Sequence, residues 1–305
     1  MEYPIETTAV GARVYNSRFI GMVYNGQEKK AEDMTNSFVR NLILQEANVR
    51  EVMEPIPLED SEIDRVSTTD RPMRIVEKEP GDEETYATFV ELTGTPKAKW
   101  VKGDRYEIYF GKIVTPTYKK TKWELMTWRM DIRRIIADNS VKKMGDEEDK
   151  YFRRTLLTIV NANAAVQRTG ASAFTSNSFK RAFQAMDDRR RPIGKLLLTK
   201  RLFREAMDLP ATAIGNDIAS KHYKEGIDSE DHLWGIPAVV SAKTHIYDKK
   251  ECWVLSPESF LGKFYLLQDA TMFIEQKRDI ISFDSYSAPG MGIGNNESIQ
   301  HIVFS

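Results

Sequence analysis

The sequence has a single cysteine, Cys252, among its 305 residues. One thiol excludes an internal disulfide framework and a thiolate metal cluster. The apolar runs are far shorter than the ~20 residues that a membrane-spanning helix needs, so we expect no membrane partner. Positive and negative charges nearly cancel, with 44 Lys and Arg against 45 Asp and Glu. The chain therefore lacks a global basic field that would draw it onto nucleic acid.

Familiar catalytic patterns are also missing from the sequence. It contains no Gly-x-Ser-x-Gly elbow and no Walker loop, and no two of the four histidines are spaced i, i+4 as in zinc motifs. The glycine-rich stretch GMGIG at 290–294 follows a strand pattern, but the short apolar segment after it cannot complete a dinucleotide-binding βαβ unit. We interpret it as a turn with glycines at positive φ. No enzymatic activity, metal or cofactor is expected.

The first part of the chain predicts an N-terminal arm with a helix over residues 1–57. Its start, MEYPIETTAVGARVY, lacks the character of a signal peptide, so we expect synthesis inside the cell. Residues 1–27 show no clear period and are expected to be extended. Apolar spacing over residues 27–54 predicts a helix that Pro55 and Pro57 end.

Residues 58–118 predict an acidic connector followed by a β excursion. The runs MRIVEKE, YATFVEL, KAKWVKG and RYEIYFGKIVT alternate and are separated by turn signals. An isolated hairpin buries too little surface to be stable alone. We therefore expect this extended loop to lie on another surface, including that of another subunit.

A long helical pattern follows within residues 119–169. From Thr121 to about Asn163 the apolar residues recur near helical spacing, which predicts a helix of ~40 residues and roughly 60 Å. Asn139 and Ser140, and also Gly145, are weak points at which the pattern could instead break into two helices. No strict heptad persists, so a coiled coil is not expected.

The remainder predicts an α/β unit over residues 170–278 and a terminal β segment over 279–305. Helix Ser176–Asp188 and strands at 193–199, 233–241 and 251–255 are expected within the α/β unit. The two runs at 263–267 and 271–277 are expected to pair with each other around residues 268–270. The predicted fold class is α+β.

This order of parts resembles the major capsid protein of tailed bacteriophages, which has the Hong Kong 97-type coat fold shared with encapsulin shells. The local similarities are FGKIVTPTYKKTKWEL before the long helix, MGDEEDKYFRRTLL on it, WGIPAVVS in the α/β unit, and the strands from GKFYLLQ to the end. The resemblance covers about residues 31–304 and rests on the linear order of the parts.

The resemblance implies a spine helix in a peripheral domain, an axial α/β domain, and self-assembly as hexamers and pentamers into an icosahedral shell around double-stranded DNA. It implies assembly in the host cytoplasm, residence in the virion, and partners that include a portal protein, a decoration protein and non-specifically contacted DNA. Fewer than thirty residues precede the first predicted helix, so a separate scaffolding protein is expected. The alternatives are an encapsulin-like compartment and a soluble α/β enzyme with a pocket within residues 170–280.

Two groups are candidates for contacts between subunits, namely residues of the excursion and adjacent acids of the spine helix. Packing within the subunit's own sheet is an equal alternative for the aromatic members. Three adjacent acids cannot share one helix face, so we expect salt bridges to Arg residues of the arm or of a neighbour. The candidates are Trp100, Lys102, Tyr106, Tyr109, Phe110, Glu147, Glu148 and Asp149.

The resemblance also raises covalent crosslinking, because some relatives join an excursion Lys to an Asn near the chain end with a Glu as base. Such residues are commonplace in ribbons and turns, so we expect subunits without crosslinks. The basic run after Asp188 could face DNA, but we favour a solvated helix end with its cations near the helix dipole. The crosslink candidates are Lys97, Lys99, Lys102, Asn295, Asn296 and Glu297.

Overall fold

The computed structural model describes residues 9–66, 69–78, 104–127, 132, 136, 140–171, 174–207 and 232–304. Within these ranges the fold is α+β, as predicted, with three sheets and a main core shared by the N-terminal helices, the spine helix and a long hairpin. The predictions for Lys97, Lys99, Trp100 and Lys102 lie outside the described residues.

The N-terminal segment is helical, and the prediction of an extended arm is wrong from Ala9 onwards. It forms α1 (Ala9–Tyr24), α2 (Glu28–Glu46) and α3 (Asn48–Val52), followed by the short strand β1 (Pro55–Pro57). In α1 the side chains of Phe19, Ile20 and Val23 are buried in the main core. The buried residues of α2 recur every four positions, which explains why its pattern was visible in the sequence.

The excursion begins and ends in a three-stranded sheet. Its strands are β2 (Asp64–Arg65), β3 (Pro72–Glu77) and β4 (Arg105–Tyr109), in the order β2-β3-β4. The chain then continues through β5 (Ile113–Val114) and β6 (Tyr118–Thr121), which both pair with the long hairpin.

The spine contains α4 (Lys122–Thr127) and, after buried helical residues at Ile132 and Ile136, α5 (Lys142–Ala162). Ser140 and Val141 form a π-helical turn, so one predicted weak point is a local irregularity. The other, Gly145, lies inside α5, and a break there is ruled out. It packs against the backbone and side chain of Ala47, at the end of α2.

The α/β unit forms a six-stranded sheet. The helix Ser176–Asp188 packs on one face, where Phe179, Ala182 and Met186 enter a second core. The elements from the end of the spine to the long hairpin are α6 (Ala164–Gln167), β7 (Arg168–Ala171), α7 (Ser176–Asp188), β8 (Lys195–Thr199), α8 (Lys200–Met207), β9 (His232–Leu233), β10 (Ile236–Ser241), β11 (Glu251–Leu255) and α9 (Glu258–Leu261).

The long hairpin consists of β12 (Gly262–Lys277) and β13 (Ile280–Ile293). The last strand, β14 (Ile299–Phe304), then joins the six-stranded sheet, whose order is β7-β14-β11-β8-β10-β9. The predicted pairing of 263–267 with 271–277 is wrong, because both runs belong to β12 and pair with β13. Residues 268–270 are a register irregularity in one strand instead of a turn. The five-stranded sheet has the order β1-β12-β13-β5, and β6 also pairs with β13.

The glycine-rich stretch is also a strand, and the prediction of a turn with positive φ is wrong. Residues 290–293 are the last part of β13. Among the described residues, the glycines at positive φ are Gly26 and Gly235.

Candidate functional site

The root of the excursion is fixed to β13. Phe110 forms a β-bridge with Gly290, and the Gly111 amide donates to the Pro289 carbonyl at 3.0 Å. Alternate side chains that point inward from this root therefore lie directly on the end of β13, because strand side chains have a period of two.

Two glycines of β13 and a third directly after it form the surface that receives these side chains, and we call it the glycine seat. A Cβ on each of them would lie 2.5 Å from a side-chain atom of the residue above it. Only glycine leaves room for these side chains. The close approach of the excursion root therefore explains why a glycine recurs at every second position here. The pairs are Phe110 over Gly290, Ile108 over Gly292 and Tyr106 over Gly294.

The outward side of the root carries Glu107 and Tyr109. The Tyr109 ring is 48% exposed, and its hydroxyl donates to the Glu107 carboxylate, which raises the pKa of Tyr109. Burial raises the pKa of Tyr106 on the inward side to about 12. Packing inside the subunit's own sheet therefore accounts for Tyr106 and Phe110, and Tyr109 is left as the exposed aromatic candidate.

Glu148 of α5 and Arg50 of α3 form a buried ion pair. Arg50 Nε and Nη2 donate to the two carboxylate oxygens at 2.8 Å each, and their side chains are 1% and 0% exposed. Burial alone lowers the pKa of Arg50, but the hydrogen bond and charge of Glu148 outweigh it and raise that pKa. The pair holds the N-terminal helices on the spine.

Asp149, the next residue, caps α3 from outside that helix. Its carboxylate accepts from the Val49 amide at 2.9 Å and from the Asn48 amide and side chain at 3.3 and 2.9 Å. Lys243, two residues after β10, donates to it at 2.7 Å. A carboxylate at a helix N-terminus is favourable, and here it also neutralises a lysine of the α/β unit.

Further ion pairs extend this cluster to both large sheets. Asp146 pairs with Lys243 at 3.1 Å and with His245 at 3.0 Å, near the end of β10. Arg50 also reaches Asp269, in the irregular part of β12, at 3.2 Å. We call Asp146, Glu148 and Asp149 the acidic junction, because together they connect the N-terminal helices, the spine and two sheets.

No protein-family model matches the chain, and no curated protein matches it. Several solved structures, however, are similar to the chain. A chain of Mycobacterium phage Adephagia is similar at 9% identity over 85% of this chain and 90% of that one, with a TM-score of 0.59. A virus-like particle from Pyrococcus furiosus is similar at 12% identity over 88% and 98%, with a TM-score of 0.57.

The bacteriophage PhiM1 mature capsid is a third similar structure, at 8% identity over 84% of this chain and 86% of that one, with a TM-score of 0.54. The chain has the Hong Kong 97-type coat fold. At such low identity the likeness establishes the fold alone. The order of the parts in the sequence predicted that fold.

The predicted salt bridge from the adjacent acids to an Arg of the arm is confirmed by Glu148 and Arg50. The sequence pattern named Glu148 and Asp149 but did not identify Arg50 or Lys243 as their partners, and Asp269 was also overlooked. The one local signal was Arg50 between two buried apolar residues of a helix, since an Arg there needs an internal partner. Of the three adjacent acids, Glu148 and Asp149 are buried within the chain. Contact with another subunit therefore remains a prediction for Glu147 alone among these acids.

Glu147 lies on the exposed side of α5, near the excursion root. It pairs with Lys150 at 2.6 Å, and both side chains are about half exposed. Two cavities, of about 300 and 460 Å³, lie between α5 and the segment that follows β4, and Glu147 and Lys150 line both of them. Tyr109 lines the smaller cavity, so this surface brings two of the predicted contact candidates together.

The crosslink candidates near the chain end are only partly accessible. Asn295 is 5% exposed, and its side chain accepts from the Glu297 amide at 3.3 Å. The Glu297 carboxylate is exposed and pairs with Arg191 at 3.0 Å. Asn296 follows Asn295 in the same short 3₁₀ turn, and its carbonyl accepts from Gln167.

The basic run at 189–191, after α7, makes more hydrogen bonds within the chain than predicted. Arg189 Nε donates to the Ala185 carbonyl at 2.7 Å, as expected for a cation at a helix C-terminus. Its Nη1, however, donates to the carbonyls of Glu297 and Ile299, and burial lowers the pKa of Arg189. A fully solvated helix end is therefore wrong for Arg189, whereas Arg190 is exposed.

A second buried polar cluster joins α5 to the six-stranded sheet. Arg153 pairs with Glu251 at 2.7 Å, and the ring of His301, which stacks on Trp253, lies 3.3 Å from the same carboxylate. Burial alone raises the pKa of Glu251, but hydrogen bonds from His301 and Arg153 outweigh it and lower that pKa to about 2.

The described residues offer little for catalysis. The Cys252 thiol is fully buried, and burial raises its pKa, which disfavours the reactive thiolate. No group of three or more His, Cys, Asp or Glu is arranged to hold a metal ion in the part of the chain that the structure describes. The helices described there are all too short or too polar to cross a membrane.

Proposed function

We propose that the protein is the major capsid protein of a tailed bacteriophage and forms an icosahedral shell around double-stranded DNA. The supporting observation is the extent of the likeness, which runs through 86–98% of the three similar chains and 84–88% of this one. A match over most of each chain favours the role of a coat subunit over a shared local motif. The role is structural and not enzymatic.

In this proposal the subunits form hexamers and pentamers, assemble in the host cytoplasm and remain in the virion. Assembly uses a scaffolding protein and a portal protein, and a decoration protein binds the shell. The near-zero net charge of the chain favours weak, non-specific contact with the packaged DNA. The surface at Tyr109 and Glu147 is the proposed contact between neighbouring subunits, because both side chains are exposed beside the same cavity.

Electron microscopy of the protein, purified alone and from an infected host that supplies the scaffolding protein, tests the proposal. Closed shells are expected in the host material, whereas small globular particles from both sources would contradict it. The nucleic acid content of shells from an infected host separates the two shell functions, because a phage capsid holds DNA and an encapsulin-like compartment holds protein cargo.

A variant pair tests the contact surface separately. Tyr109→Ala removes the exposed ring and is expected to reduce the yield of shells while leaving the far-UV circular dichroism of the subunit unchanged. Tyr109→Phe keeps the ring and loses only the hydroxyl that bonds to Glu107, so it should assemble like the natural protein. If Tyr109→Ala gave as many shells as Tyr109→Phe, the Tyr109 ring would not be part of the contact.

A further inference from the structure

The outer edge of β12 is covered by different groups along its length. Near its start, β1 pairs with residues 264–266, and the Leu58 amide donates to the Leu266 carbonyl. At the irregularity, Asp269 accepts from the Ala270 amide through its own side chain. Beyond this point β12 pairs with β13 on one side, and among the described residues no strand lies on the other.

Helix α2 covers that remaining edge with two side chains. Asn36 Oδ1 accepts from the Met272 amide at 2.7 Å, and Glu32 Oε1 accepts from the Ile274 amide at 3.0 Å. Four helical residues rise ~6 Å and two strand residues rise ~6.6 Å, so the two acceptors match the spacing of the two donors. The side chains thus occupy the positions that the carbonyls of a neighbouring strand would take.

We propose that Glu32 and Asn36 block an edge of β12 to which another strand can add. When these two side chains are removed, the strand that adds to this edge is an extended segment of a second copy of this chain. Unpaired edge amides are templates for another strand. The edge segment at 270–274, ATMFI, is uncharged, lacks proline and is rich in residues favoured in strands, which is the composition of self-pairing segments.

A second copy fits better than an unrelated peptide because identical uncharged segments pair in register without unfavourable charges. The site lies at the edge of the five-stranded sheet, whereas the proposed capsid contact lies at Tyr109 and Glu147. The inference goes beyond the proposed function and does not depend on shell formation. It concerns what the subunit must avoid when it meets other copies of itself.

The test compares the double variant Glu32→Ala/Asn36→Ala with two controls, in subunits kept unassembled. The control Glu32→Gln/Asn36→Asp keeps an acceptor oxygen at both positions. The control Asp33→Ala/Asn41→Ala changes exposed residues of the same helix. The measurements are hydrogen exchange of the Met272 and Ile274 amides and thioflavin T fluorescence together with sedimentation.

In the Ala double variant, exchange at both amides should rise about tenfold, because each amide loses its hydrogen bond. The variant should also form thioflavin-positive aggregates, and both controls should behave like the natural protein. Unchanged exchange would overturn the proposed cover, and faster exchange in a variant that stays monomeric would overturn strand addition. If the double variant does not fold, Asn36→Ala alone gives the same comparison at Met272.

Discussion

Arg50 and Glu148 share two 2.8 Å hydrogen bonds in a part of the protein where both side chains are almost inaccessible to solvent. Such a pair repays the cost of desolvation only while both partners are present. If one is removed, the other is left as an uncompensated buried charge. The pair is therefore a sensitive point of the subunit, and Glu148 lines the inner side of the cavity beside the proposed contact surface.

Glu148→Ala is expected to lower the free energy of unfolding by about 3–5 kcal/mol. Replacing both partners with apolar residues, as in Arg50→Met/Glu148→Leu, should cost less than the sum of the single changes, because no charge is stranded. Urea denaturation of the unassembled subunit measures both effects. The neighbouring exposed Glu147→Ala is the control and should stay within about 0.5 kcal/mol of the natural protein.

Glu251 predicts a defined acid dependence. Its pKa is lowered from 4.5 to about 2 in the folded protein, so it stabilises the fold above pH 4.5, and this contribution is lost as the pH falls towards 2. The shift corresponds to about 3 kcal/mol. The difference in unfolding free energy between the natural protein and Glu251→Gln should therefore be greatest near neutral pH and shrink below pH 4.5. A difference that stayed constant down to pH 3 would contradict the assignment.

The glycine seat predicts a rescue. Gly290→Ala should destabilise the subunit by about 1–3 kcal/mol, since the new methyl group overlaps the Phe110 ring. Adding Phe110→Ala should recover part of that loss, which a double-mutant cycle of thermal unfolding would show. Gly262→Ala should not be rescued in this way, because its Cβ meets the Gly292 carbonyl oxygen. Gly170→Ala, in an open strand position, is the matched control.

Assembled particles should dissolve into single chains on a denaturing gel, with a band at about the monomer mass of 35.0 kDa. Asn295 is buried and its side chain already accepts a hydrogen bond, and the Glu297 carboxylate is paired with Arg191. Asn295 is therefore poorly placed for attack by a lysine of the excursion, and the ion pair occupies the carboxylate that would act as base, so Asn296 is left as the exposed acceptor candidate. A ladder of multiples of the monomer mass would show that crosslinking occurs, and Asn296→Asp would then identify the acceptor.

Sequence analysis recovered the features that have a strong local period. Helix α2 buries every fourth residue and α7 presents one apolar face. The bounds of α7 were predicted correctly, whereas the single helix predicted over 27–54 breaks at Ala47 into α2 and α3. The coat fold followed from the order of such parts. By contrast, α1 contains two glycines and several β-branched residues, and its burial depends on Phe19, Ile20 and Val23 reaching a core formed later in the chain.

Other features depend on contacts that no local pattern shows. At 16 residues β12 is far longer than an ordinary strand, and its irregularity at 268–270 reads like a turn. The glycine seat did leave a signal, since glycines at 290, 292 and 294 match the period of Tyr106, Ile108 and Phe110. Only the pairing of these two runs explains the glycines. The partners in the acidic junction are about 100 or more residues apart and could not be matched by spacing.

The acidic junction also sets an order of events during synthesis. Asp149 is translated 100 positions after Val49, whose amide it caps, and Asp269 follows Arg50 by 219 positions. A nascent chain must therefore be nearly complete before the junction can close. We expect a chain still attached to the ribosome to hold its N-terminal helices on the spine through Arg50 and Glu148 before either large sheet is joined to them.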